Sequence, residues 1–181
     1  MNRLIVVATL LACFGFQSSL EAQRHGAKRY RYKESKVDMS AMPKVFVGWV
    51  DLRSKDWAAH RYRSEEDWAA EIDGLNGSFA AALSARWLPG RAVTTAKNAD
   101  DVNLAGQDLY IKFADVLIDY YYYFLYVSIH FIDPKTNKEI AAIPARPYYG
   151  NTRGFASFLA ASLEEVGRKI QAEVLGSMIS N

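Results

Sequence analysis

From Asp108 to Asp133 the chain is so dense in Tyr, Phe, Ile and Val that it is committed to extended structure, yet it is too long for one strand of about 5 to 6 residues. A break near Asp119 to Tyr122 divides the tract into two strands. In the second, Leu125, Val127, Ile129 and Phe131 alternate with Tyr126, Ser128 and His130, the period-2 pattern of a strand with one buried and one mixed face. Asp133-Pro134-Lys135-Thr136-Asn137 then reads as a turn, because Pro134 presets φ and Asn137 tolerates a positive φ. Glu139 to Ala145 returns as the other arm of a hairpin, and Pro147 to Gly154 reads as a loop. Such a tract must build an antiparallel sheet and find something to cover its apolar face.

Two amphipathic segments can supply that cover. Ser64-Glu65-Glu66-Asp67 has the Ser cap and acidic first turn of a helix start, and Trp68, Ile72, Leu75, Phe79, Leu83 and Trp87 follow on one helical face until Pro89-Gly90. Near the C-terminus Phe155, Phe158, Leu159, Leu163, Val166, Ile170 and Val174 share a face. Glu164 to Arg168 and Glu165 to Lys169 form i,i+4 acid-to-base pairs toward the other side.

Lys44 to Leu52 is apolar on both alternating faces, as a central strand reads, and Arg91 to Lys97 fits a short strand. Asn98-Ala99-Asp100-Asp101 with Gly106 marks a loop. The predicted order is β-α-β-β-β-β-α. It is an α+β fold: a mixed, largely antiparallel sheet of about five strands with two amphipathic helices packed on it. Residues 44–181 are read as one such domain.

The N-terminus reads as an address. Arg3 supplies a positive n-region, Leu4 to Phe16 an apolar h-region, and Gln17 to Ala22 a polar stretch leading to a cut before Gln23, so residues 1–22 read as an export signal. The apolar run is short against the roughly 20 residues of a spanning helix. Leu10-Leu11-Ala12-Cys13 also has the shape of a bacterial lipoprotein box, which makes Cys13 a lipidation candidate and leaves two processing routes open. The expected location is exported, either periplasmic or associated with the outer membrane. Cys13 is the only cysteine, so no intramolecular disulfide is available and the packed core must hold the domain together.

Residues 23–43 form a basic arm. Between Arg24 and Lys36, Arg24, Lys28, Arg29, Arg31, Lys33 and Lys36 stand against Glu34, so the formal charge of +2 conceals a basic arm on a mildly acidic remainder. Lys28, Arg29, Arg31 and Lys33, interleaved with Tyr30 and Tyr32, suit an anionic membrane surface or an acidic partner. A solvated linker has the same composition. Nucleic acid is not an expected partner for an exported chain.

The succession Val45-Phe46-Val47-Gly48-Trp49-Val50-Asp51, an amphipathic helix, Gly106-Gln107-Asp108-Leu109-Tyr110-Ile111, the hairpin Val127-Ser128-Ile129-His130-Phe131-Ile132-Asp133-Pro134-Lys135-Thr136 and a closing helix resembles bacterial envelope domains of the TolB N-terminal and CsgG type. In those, a strand ending in Asp, a strand opening with Gly-x-Asp and a hairpin turn Asp-x-x-Thr recur in this order. The resemblance spans roughly residues 44–175. It implies an assembly or accessory component of the cell envelope that binds other envelope proteins, and it carries over no catalytic residue.

No catalytic constellation, metal site or cofactor motif is predicted. His25, His60 and His130 lack the spacing of a zinc motif. Asp115 and Asp119 are an even number apart, so one strand face can present both to a cation or to acid–base work; strand-end aspartates also satisfy turn backbone. Neither a nucleophile elbow nor a phosphate loop is present in the sequence. The candidate binding residues are Tyr120, Tyr121, Tyr122 and Tyr123, which at a strand junction must point to both faces, together with Tyr148 and Tyr149 in the loop ahead of the last helix. Exposed tyrosines offer contact area at low entropic cost, suited to protein partners, a homo-oligomer contact or stacking on the sugar rings of glycan or peptidoglycan.

Overall fold

The computed structural model describes residues 38–52, 64–119, 122–150 and 154–175. Five strands form a single sheet: β1 (Lys44–Gly48), β2 (Ala92–Ala96), β3 (Leu109–Asp119), β4 (Phe124–Asp133) and β5 (Lys138–Tyr149), in the spatial order β2-β1-β3-β4-β5. The first three strands pair in parallel through β1, and β3-β4-β5 is an antiparallel meander. Helices α1 (Glu65–Ala82) and α2 (Phe155–Leu175) complete the α+β architecture. None of the described helices is long and apolar enough to cross a membrane.

Both helices cover the same face of the sheet. Val45 and Val47 of β1, Leu109, Ile111 and Phe113 of β3, Leu125, Val127, Ile129 and Phe131 of β4, and Ala141, Ile143 and Tyr148 of β5 meet Trp68, Ile72, Leu75 and Phe79 of α1 and the apolar face of α2 in one core. Each alternating strand set predicted to be buried is buried, and Val50 and Leu52 remain in the core beyond the end of β1. Ser64 caps α1, its Oγ accepting the Asp67 N–H at 3.1 Å. The helix widens into a π-helical segment, Leu83–Trp87, before the Pro89-Gly90 turn. Gly167 of α2 lies against the Trp87 indole, and a Cβ there would stand 2.5 Å from Trp87 Nε1. That contact lets the two helices close on each other.

The β4–β5 turn forms as its residues dictate. Asn137 takes φ 52°, and Asp133 accepts from the Lys135 N–H at 2.8 Å and from the Thr136 hydroxyl at 2.7 Å. These donors, Thr136 first, hold the Asp133 carboxyl below the usual carboxylate range.

Two boundaries differ from the sequence reading. The domain begins before Lys44: Asp38 caps a short 3₁₀ turn, Met39–Ala41, Met39 is buried in the core, and Arg91 donates to the carbonyls of Ser40 and Met42. The arm composition hid its apolar anchors, the buried Met39 and the partly buried Met42. β5 also runs to Tyr149, through the predicted loop. As an outer strand it tolerates Pro144 and Pro147, and a register shift opposite Val127 to Ile129 absorbs the irregularity.

Candidate functional site

The helix-free face of the sheet carries the exposed aromatics. Tyr126 of β4 sits on that face because its neighbours Leu125 and Val127 point into the core, and Phe124 shares its parity. Phe124 pairs across the ladder with Tyr149 of β5, ring centroids 4.4 Å apart and edge-on. Tyr122 stacks on Phe124 at 6.1 Å with 20° between planes, and Tyr126 meets Phe124 edge-on at 6.0 Å. Leu117 of β3 lies opposite Tyr126. Tyr122, Leu117 and Tyr149 are each exposed over at least 60% of their surface. The result is a continuous row of rings, centred on Phe124 and open to solvent.

The sequence candidates divide accordingly. Tyr122 and Tyr149 belong to this row. Tyr123, at φ 56°, turns the other way and sets its ring edge-on to the buried Phe158 at 5.5 Å, while remaining half exposed. Tyr148 does not belong to an exposed patch: it lies in β5, not in a loop, faces the core and is fully buried, with its carbonyl accepting from Ser162 Oγ at 3.2 Å. Its placement follows from the strand extending past Pro147, which gives Tyr148 and Tyr149 opposite faces. Burial pushes its phenol above the ordinary value, against the pull of Arg146, whose guanidinium stands over the ring. Tyr120, Tyr121, Cys13, Lys28, Arg29, Arg31 and Lys33 lie outside the described residues, as do residues 1–22. Phe124, Tyr126 and Leu117 escaped the sequence reading, although the period-2 pattern that buried Leu125 and Val127 already fixed the side of Phe124 and Tyr126.

Further along the same face runs a polar chain. Asp115 and Asp119 do not act as a pair: a bulge between Ala114 and Leu117 puts Asp115 at φ 52° and breaks the even spacing. Asp115 Oδ2 accepts from Ser128 Oγ at 2.9 Å, whereas Asp119 Oδ1 accepts from the Tyr122 N–H at 3.1 Å. Ser128 Oγ also lies 3.0 Å from His130 Nε2, and His130 Nδ1 lies 2.7 Å from Glu139 Oε2. By connectivity this is a serine–histidine–acid series, but Ser128 is fully buried and its single proton goes to Asp115. The hydroxyl can then only accept from His130, the reverse of what a nucleophile requires of its base. Among the described residues no group of three or more His, Cys, Asp or Glu side chains is placed to hold a metal ion.

No protein-family model and no curated protein matches the chain. Among solved structures it is similar to the PelC dodecamer from Paraburkholderia phytofirmans, with 16% identity, a TM-score of 0.44, and 78% of this chain and 95% of that chain covered. A substituted form of the same protein in another crystal gives 14% identity, a TM-score of 0.43, and coverages of 80% and 96%. A neuraminyllactose-binding hemagglutinin homolog from Helicobacter pylori is similar at 11% identity and a TM-score of 0.36, over 83% of this chain and 92% of that one. Similarity at this level carries no function across.

Proposed function

We propose that this chain is a non-catalytic, exported protein of the bacterial cell envelope that acts as an assembly or scaffold component, docking another envelope protein on the helix-free face of its sheet. The observation that carries this reading is the open row of Tyr122, Phe124, Tyr126 and Tyr149. Aromatics grouped on a surface are the residues that dominate protein interfaces, and tyrosine combines a large apolar area with a hydroxyl at its rim. The row extends across two neighbouring strands, β4 and β5, and presents several rings at once, which suits a protein surface better than a single sugar ring. Support from the sequence is the signal-like pattern of residues 1–22 and an order of strand and turn motifs that resembles TolB N-terminal and CsgG-type domains.

Site-specific photo-crosslinking at Leu117, in cells expressing the chain with its own signal, tests this. A discrete crosslinked protein that disappears in a Tyr122→Ala, Tyr149→Ala double variant, with the unfolding midpoint unchanged, is the expected result. Crosslinks that persist in the double variant overturn the docking face.

A further inference from the structure

The carboxyl ends of the two parallel strands β1 and β2 open on a separate hollow of about 140 Å³. Trp49 and Asp51 follow β1, Lys97 and Asn98 follow β2, and Asp73 and Asn76 of α1 close the third side. Ligand sites in sheets with parallel strands gather at this end, where chain segments leaving neighbouring strands diverge. The floor is rigid, because Asn76 spends its amide on the backbone of Val50 and Ile72. The rim is polar and mixed in sign. Lys97 Nζ stands 6.0 Å from the Trp49 ring centroid and 3.5 Å from Asp73 Oδ1. The Trp49 indole Nε1–H is enclosed with no acceptor among the described residues.

We propose that this hollow binds one neutral sugar ring, as a free monosaccharide or as the end residue of a glycan. Its volume falls below the several hundred Å³ of a drug-sized pocket and admits one ring. The Trp49 indole offers an aromatic surface to the ring's C–H groups. The Asp73 carboxylate, the Lys97 ammonium and the Asn98 amide, which gives one N–H to Asp101 Oδ2 at 3.3 Å and keeps its carbonyl oxygen and second N–H, line the rim and match hydroxyls that both donate and accept. Ligands of other chemistry fit poorly. An anion meets Asp51 and Asp73, a cation competes with Lys97, and a wholly apolar ligand buries the Lys97–Asp73 pair without compensation.

The test is a titration of the ¹⁵N-labelled full chain with glucose, galactose and N-acetylglucosamine, following the Trp49 indole N–H resonance assigned through Trp49→Phe. A saturable shift with at least one sugar, of millimolar affinity and weakened about tenfold or more in Asn98→Ala and Lys97→Met, is expected. Both substituted residues are exposed, so these variants keep the fold. The proposal is overturned if no sugar moves the resonance, if the two variants bind as the wild type does, or if only signals of the Tyr122–Tyr149 row respond. An equal response to acetate or ethylamine alone also overturns it, by showing a charge site rather than a sugar site.

Discussion

Asn76, in the middle of α1, satisfies both backbone groups of Val50 at once: its Oδ1 accepts the Val50 N–H at 2.8 Å while its Nδ2 donates to the Val50 carbonyl at 3.1 Å. The residue is buried, and its second amide proton returns to the Ile72 carbonyl at 3.1 Å. A side-chain amide thus takes the place of a sheet neighbour where β1 ends. Asn76→Ala leaves the Val50 N–H unpaired inside the protein, while the Val50 carbonyl keeps the Leu52 N–H at 2.9 Å, and is expected to cost about 1–3 kcal/mol, read as a lowered urea midpoint. Asn76→Asp, which keeps the acceptor but sets a carboxylate against two carbonyl oxygens, should recover none of that loss.

Gly150, just past β5, is pressed against the backbone of Phe158, with no room for a Cβ before it meets the Phe158 carbonyl. Because that obstacle is helix backbone, it cannot swing away as a side chain can. Gly150→Ala is expected to cost roughly 1–3 kcal/mol. Gly106→Ala, where nothing lies within 4 Å of the new carbon, should stay within about 0.5 kcal/mol in the same denaturation series.

Alkaline conditions should act through the tyrosines. Burial raises Tyr148, and burial with the Asp100 charge raises Tyr110, from an ordinary value of 10.0. Above that value the unfolded chain releases protons that the folded chain still holds, so stability is intact below about pH 10 and falls as pH rises further. Tyr148→Phe should change stability at pH 7 by less than about 1 kcal/mol, since the buried hydroxyl has only the Arg146 guanidinium near it and no hydrogen bond of good geometry among the described residues. It should also weaken the alkaline loss, leaving the share due to Tyr110. Thermal melts across pH 8 to 11 check both statements.

The β4–β5 turn offers a local test. Asn137 occupies φ 52°, where an ordinary side chain costs about 1–2 kcal/mol. Asn137→Ala should lower the denaturation midpoint by an amount near the bottom of that range, and Asn137→Gly should not.

Much of this architecture was legible because its signals are periodic. Leu125, Val127, Ile129 and Phe131 announce a strand face by alternation, and Phe158 to Val174 a helix face by recurrence at three and four. Ser64 and Asp133 mark ends through side chains that bond their own neighbourhood, and Asn137 marks the turn by tolerating a positive φ. What stayed hidden depends on contacts distant in sequence. Asn76 reads as one more polar residue until Val50 is placed beside it, and Asp115 loses its pairing with Asp119 only because one bulge interrupts the count. Tyr148 was misplaced because two prolines look like the end of a strand, whereas an outer strand needs donors on one side only. The aromatic row was half visible: Tyr122 and Tyr149 stand out as neighbours of a tyrosine run, but their common centre, Phe124, emerges from the β4–β5 register.

Pro144 and Pro147 bear on how copies of this chain can associate. An endless filament grown edge to edge requires two receptive borders, one on each side of every molecule, so that each newcomer recreates the site it used. Here β5 lacks an N–H at two positions, Pro144 and Pro147, while β2 at the opposite edge of the sheet contains no proline. Among the described strands this leaves β2 as the border better suited to a second copy, and β2 against β2 about a two-fold axis is the self-complementary arrangement. Such a union would use up the β2 border of each molecule and leave none of that border to recruit a third copy.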